Sequence, residues 1–310
     1  MHTILGANGI IGEELAKELR SNYTSDIRLV GRNPKKVNVE DVLFQADLLN
    51  VDEVKRALEN TSIAYLTVGL PYKSEIWLRD WGKIMNNVIE ACIEHGCKLA
   101  YFDNTYAYPQ DSKIQSESTP LNSQAKKGLA RKQAAEILLE AIENKSIQAT
   151  ICRAPEFYGP GITKGITNIL IFENIKKDKK PKVLLKDNVL RTLIYTPDAS
   201  KAMALIANTP DAYGHTWHLP CDDNRLTYSQ FIQEISNQLG REIKYQVLSR
   251  FILKIGSYFN ENLKEIKELL PRYEIDNIFE STKFKNRFPD FRTTTYLQGI
   301  RKILEDYEIR

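Results

Sequence analysis

The stretch Gly6-Ala7-Asn8-Gly9-Ile10-Ile11-Gly12 constrains this chain more than any other. It follows the short apolar run "HTIL" and opens the helix-like pattern "EELAKELRSN". Gly6 permits a tight turn. Gly9 removes a side chain where a ligand must approach the backbone. Gly12 lets the helix lie close to the sheet. A helix N-terminus offers unpaired N–H groups and partial positive charge, which suits a diphosphate. A glycine triplet alone is weak, but strand before and helix after is the context that predicts dinucleotide binding, with Asn8, Ile10 and Ile11 alongside the glycines.

The rest of the N-terminal half keeps that rhythm. "DIRLVGR", "VLFQADL", "IAYLTVGL", "KLAYFDN" and "QATICRAP" read as buried strands. Helical patterns separate most of them, the longest carrying Trp77, Trp81, Ile84, Met85, Val88, Ile89 and Cys92 on one face. Strands alternating with helices predict an α/β fold with a doubly wound parallel sheet. After Pro155 the rhythm changes. We expect a dinucleotide-binding domain over 1–155 plus about 190–220, and a smaller, interleaved C-terminal substrate lobe over 156–189 and 221–310. In that lobe, Thr227 and Gln230 form a capping-box pattern before "FIQEISNQL", with Gly240 as the stop.

Bulk properties narrow the partners. Lys+Arg total 43 against 40 Asp+Glu, a net charge of +3. That balance gives no case for a nucleic-acid or membrane partner, and a small-molecule substrate is expected instead. No apolar run approaches the ~20 residues of a transmembrane helix. The four cysteines are no disulfide framework and form no metal-ligand cluster, so they read as reduced core thiols of a cytoplasmic protein, and no metal is expected. A homodimer is the assembly considered; the sequence leaves the oligomeric state open.

The end of the second strand, "VGRNPKK", sets the cofactor. An acidic residue there would bond a ribose 2′-hydroxyl, but this chain has Arg32, which can clamp a 2′-phosphate. NADP is therefore expected, with NAD second. Asp47, beside Leu48, is placed to meet the adenine edge. Thr67, Val68 and Gly69 end the fourth strand and are expected to line the cofactor trough.

Five stretches, "GANGIIG", "VGRNP", "ADL", "CRAPEFYGPG" and "RTLIYTPDASKAM", follow one another as they do in the extended short-chain dehydrogenase/reductase superfamily, which this chain resembles over nearly its whole length. That superfamily comprises NAD(P)-dependent epimerases, dehydratases and reductases. The resemblance implies a reductase- or epimerase-type activity on a small carbonyl or hydroxyl compound. It also puts Pro155 beside the cofactor. It aligns Tyr108 with the tyrosine of the family's strand-5 motif and Asn104 with its Ser/Thr, next to the hydroxyl of Thr105. It implies a Tyr-x-x-x-Lys helix at "KKGLARKQAAE". One register there sets Gly128 and Lys132 on the two positions, the other Lys127 and Arg131. Neither holds a tyrosine.

Three readings stay open for the missing proton donor. It is another tyrosine (Tyr106, Tyr108 or Tyr158), or a lysine (Lys127 or Lys132) made acidic by burial and neighbouring cations. Otherwise the chain is a non-catalytic NADP-binding sensor or assembly factor. Arg131, in the same helix, is expected at the cofactor or substrate. Arg191 matches the position where nucleotide-sugar members hold a substrate phosphate; an ion pair with a nearby acid is the competing reading. The polar loop "YPQDSKIQSESTPLNSQ" is placed to act as a mobile lid.

Overall fold

A computed structural model of the chain describes residues 1–161 and 163–309. It contains two compact units. The first is Met1–Ala107, Leu121–Ala154 and Ala199–Leu219; the second is Tyr108–Pro120, Pro155–Asp198 and Pro220–Arg310. Residues 190–198 thus fall with the second unit, as do 108–120, the front of the loop read above as a lid.

The first unit is built on strands β1 (His2–Leu5), β2 (Ile27–Gly31), β3 (Val42–Gln45), β4 (Ile63–Leu66), β5 (Lys98–Asn104) and β6 (Ala149–Ala154), joined by Thr216–His218. All pairings are parallel. From the Thr216–His218 edge the order is β6, β5, β4, β1, β2, β3. Chain direction across the sheet therefore reverses at β1 and β4. In such sheets a crevice opens outside the carboxyl ends of the two strands, where ligands bind. The inner strands are buried on both faces, and so read as unbroken apolar runs.

Helices α1 (Ile10–Asn22), α2 (Val51–Leu58), α3 (Ser74–His95) and α4 (Lys126–Glu143) cover this sheet. The stripe of α3 packs inward, with Trp81, Met85 and Val88 fully or almost fully buried; each such side chain contributes about 1.5–3 kcal/mol. Gly96 ends α3 in the left-handed conformation, φ +64°, and its N–H donates to the Cys92 and Ile93 carbonyls. Small residues bring α4 close to α3: Ala130, Ala134 and Ala135 are buried, and Gly82 of α3 lies against the Gln133 side chain.

The second unit has its own core, including Tyr158, Phe172, Tyr195, Phe231, Tyr296 and Ile300. The helix Tyr228–Leu239 has both halves of the Thr227/Gln230 capping box and ends at Gly240, φ +61°. The helix Tyr296–Asp306 carries a second capping box, Thr295 with Gln298. Gln115 forms a parallel bridge with Phe279 and is buried. Its N–H donates to the Ile278 carbonyl and its carbonyl accepts from Glu280, so this part of the loop is pinned rather than a free lid. All four cysteines are buried thiols. No described helix is long and apolar enough to cross a membrane.

Candidate active site

The three loop glycines meet different surroundings. Gly6 has φ +95°, and a Cβ there would lie 2.4 Å from the Val68 Cα. A Cβ on Gly12 would lie 2.9 Å from the Ala7 Cα. Both glycines are thus required by the protein itself. Gly9 is not: its φ is −86°, and a Cβ would approach nothing closer than the Gly6 carbonyl at 3.7 Å. Gly9 is also the N-cap of α1, and no side chain caps that helix. The protein therefore leaves open space beside uncapped N–H groups at a helix start, a cradle that fits a dinucleotide diphosphate.

Neighbouring residues hold that loop in place. Asn8 Nδ2 donates to the Asn33 carbonyl at 2.6 Å, and its Oδ1 accepts from the Lys35 N–H at 3.1 Å. These bonds tie the glycine loop to the turn carrying Arg32, which is exposed and has no ion pair among the described residues. Ile10 is half-buried and Ile11 buried, with the Ile11 carbonyl accepting from Ser200 Oγ at 3.0 Å. The exposed Asp47 carboxylate accepts from the Leu49 N–H at 3.0 Å. Leu48 is buried and gives its carbonyl to Asn87. Thr67 Oγ1 donates to the Leu5 carbonyl at 3.3 Å, joining β4 to β1; Val68 is half-buried, and Gly69 faces open space.

The carboxyl end of β5 carries a second cluster. Asn104 Oδ1 accepts from the Tyr106 N–H at 2.9 Å, which tightens the single turn Thr105–Ala107. Thr105 is buried; Tyr106 is half-exposed and stacks on Trp77 with ring centroids 5.8 Å apart. Lys127, in the first turn of α4, is fully buried. Its ammonium donates to Ser74 Oγ at 2.9 Å and lies 4.4 Å from the Tyr72 ring centre. The Tyr72 and Tyr106 hydroxyls are 3.5 Å apart. Lysine, two phenols and an indole thus gather at the ends of β4 and β5.

Several expected site residues have structural work instead. Arg131 does not reach out of α4. Its guanidinium lies 2.6 Å from the Asp103 carboxylate, donates to the Phe102 carbonyl and lies 4.1 Å from the Trp81 ring centre. Arg153 grips the other Asp103 oxygen at 2.8 Å. Burial pushes the Asp103 carboxyl up, but the two guanidiniums outweigh it and hold the group below the ordinary carboxylate range. Lys132 lies on the helix surface, 3.6 Å from Glu136. A Cβ on Gly128 would fall 2.4 Å from the Tyr106 carbonyl oxygen, so this backbone admits no tyrosine there. Tyr108 is fully buried and donates to the Ser116 carbonyl.

Within the second unit, Pro155 is buried and Tyr158 is a core ring among Tyr195, Phe231 and Tyr296. Burial pushes the Tyr158 phenol well above its usual range. Arg191 is 2% exposed, lies 3.0 Å from the Glu156 carboxylate and covers the Tyr273 ring at 4.4 Å. Glu156 also accepts from Tyr228, Tyr273 and Thr167. The ion-pair reading of Arg191 holds, and its charge is committed inside the lobe. Tyr72 and Ser74 escaped the sequence reading. Their signal was position: polar side chains in "LPYKS", just past the strand that borders β1.

The sheet order and glycine turn define a Rossmann-type α/β protein. A model of the NAD dependent epimerase/dehydratase family matches residues 2–219, and the chain belongs to that family. No curated protein matches it in sequence. Among solved structures, UDP-glucuronic acid 4-epimerase from Bacillus cereus in complex with NAD is similar with a TM-score of 0.78 at 15% identity, covering 99% of both chains. UDP-glucose 4-epimerase of Thermus thermophilus, also with NAD, gives 0.77 at 14% over 99% of both. The dTDP-glucose 4,6-dehydratase of Bacillus anthracis with NAD gives 0.77 at 15%, covering 99% of this chain and 96% of the other. Identities this low establish the shared fold.

Proposed function

We propose that the chain is a nicotinamide-dinucleotide-dependent oxidoreductase or epimerase-type enzyme acting on a small hydroxyl or carbonyl compound, with NADP as its cofactor and Tyr106 as its proton-transfer group. The observation that carries this reading is the placement of Lys127, Tyr72 and Tyr106 at the ends of β4 and β5, in the same unit as the diphosphate cradle. The bound cofactor supplies or accepts a hydride. The first N–H groups of α1 and the open side of Gly9 hold its diphosphate, and Arg32 holds the 2′-phosphate. Tyr106 gives a proton to the substrate oxygen in reduction and takes it back in oxidation. The commitment of Arg191 to Glu156 supports a compact substrate over one gripped through a nucleoside diphosphate.

A second reading, dinucleotide binding without turnover, draws on the absence of any tyrosine in the first turns of α4. Two assays over one panel separate the readings: NADPH oxidation with aldehydes and ketones, and interconversion of sugar and UDP-sugar epimers with the oxidised cofactor. Turnover is expected in at least one of them, with its loss in Tyr106→Phe at unchanged NADPH affinity. Full turnover in Tyr106→Phe would reject Tyr106, and NADPH binding with no turnover across the panel would favour the binding protein.

A further inference from the structure

Between the Lys127 ammonium and the Tyr106 hydroxyl stands Tyr72, in the loop that follows β4. It turns its ring toward Lys127 Nζ, 4.4 Å from the centroid, and its hydroxyl toward that of Tyr106 at 3.5 Å. Trp77 fixes both rings. It stacks on Tyr106 at an interplanar angle of 18° and meets Tyr72 edge-on at 85°, while its own N–H is held by the Pro71 carbonyl at 2.9 Å. Ser74 fixes the lysine from the first turn of α3.

We infer that Tyr72 couples the Lys127 ammonium to the Tyr106 hydroxyl, so that the three side chains act as one proton-transfer unit. The inference rests on the reading of Tyr106 as the group at the substrate oxygen. A cation near an aromatic face is attracted by the ring quadrupole. An ionised phenol spreads negative charge into its ring, so that attraction grows as the Tyr72 proton leaves. Hydrogen bonds in such sites are often long before substrate binds, as the 3.5 Å contact is. In reduction, hydride from the reduced dinucleotide turns the carbonyl oxygen into an alkoxide. The Tyr106 O–H bond breaks and its proton forms the substrate O–H. The Tyr72 O–H bond then breaks and its proton restores Tyr106. The negative charge rests on Tyr72 beside Lys127 until a proton from water neutralises it; oxidation runs the same steps backwards. Tyr72 is thus a positioning residue that never touches substrate. The phenol–lysine pairing that α4 cannot build through Gly128 is assembled from Lys127 of α4 and tyrosines in the loops after β4 and β5.

The test is 13Cζ-tyrosine NMR of the full chain, titrated with pH, with Tyr106 assigned by its loss in Tyr106→Phe. Tyr72→Phe keeps the ring, its packing and its face toward Lys127, and removes only the hydroxyl. The Tyr106 midpoint should rise by about one pH unit in Tyr72→Phe, the worth of one hydrogen bond to a phenolate, and Lys127→Met should raise it less in the Tyr72→Phe chain than in the wild type. An unmoved Tyr106 midpoint in Tyr72→Phe overturns the coupling, whether or not the lysine variant folds. A thermal-shift titration with NADPH runs alongside. A wild-type chain with no NADPH response would fail the functional reading while leaving the coupling measurable. An intact NADPH response with an unmoved midpoint would fail the coupling alone.

Discussion

Replacing Gly9 and Gly6 by alanine in separate variants sets the cofactor reading against a purely structural one. Alanine at Gly6 must adopt φ +95°, at about 1–2 kcal/mol, and overlap the Val68 backbone at 2.4 Å, at about 1–3 kcal/mol more. Gly6→Ala should therefore lose roughly 2–5 kcal/mol of stability before any ligand is added. Gly9 has an ordinary φ of −86° and nothing within 3.7 Å of the new methyl. Reduced freedom of the unfolded chain stabilises Gly9→Ala by about 0.4–1 kcal/mol, and a poorer N-cap offsets part of that, so its stability should barely change. If the open space receives a diphosphate, the methyl overlaps it at about 1–3 kcal/mol, roughly 5- to 150-fold in Kd. The assay is thermal unfolding with and without NADPH. At 100 times Kd the ligand stabilises the wild type by about 2.7 kcal/mol, and a tenfold weaker Kd leaves about 1.4, halving the shift in Tm. A full NADPH shift in Gly9→Ala, or a ligand-free chain as damaged as Gly6→Ala, would refute the assignment.

Two more outcomes are expected. Arg32→Ala should weaken NADPH about 10- to 150-fold, the loss of charge-assisted hydrogen bonds, and leave NADH unchanged by calorimetric titration; a retained preference would remove Arg32 from the site. Asp103→Asn leaves the Arg131 and Arg153 cations buried without their carboxylate, and should cost about 3–5 kcal/mol in urea unfolding. Because the folded carboxyl lies below its ordinary value, its contribution is complete above about pH 4 and fades as the pH falls through the lowered value. The gap between wild type and Asp103→Asn should therefore narrow in acid and stay constant from neutral pH upward.

The sheet was legible because its inner strands are buried on both faces and leave unbroken apolar runs, and because a glycine turn with a helix behind it has few uses. Gly6 and Gly12 read correctly as steric requirements. Capping at Thr227 read correctly because it is local, a side chain bonding three residues on. What failed was the direction in which charged side chains point. Lys127, Arg131 and Lys132 look alike in "KKGLARKQ", yet one is buried against Ser74 and Tyr72, one neutralises Asp103, and one lies on the surface. Helical spacing puts Lys127 and Arg131 on one face but does not say that α3 covers that face. Arg191 likewise found its partner in Glu156, 35 positions away in the chain, which no local pattern announces. Tyr72 was missed because it meets Lys127 and Tyr106 only through the fold; Tyr106 lies 34 positions away in the chain.

The most direct measurement is a crystal structure with NADPH bound. The diphosphate is expected on the first N–H groups of α1 at Gly9, the 2′-phosphate on Arg32, and the Tyr106 hydroxyl directed at the space in front of the nicotinamide C4. A dinucleotide bound away from Gly9, or a nicotinamide whose C4 face is out of reach of Tyr106, would overturn the cradle or the assignment of Tyr106, respectively.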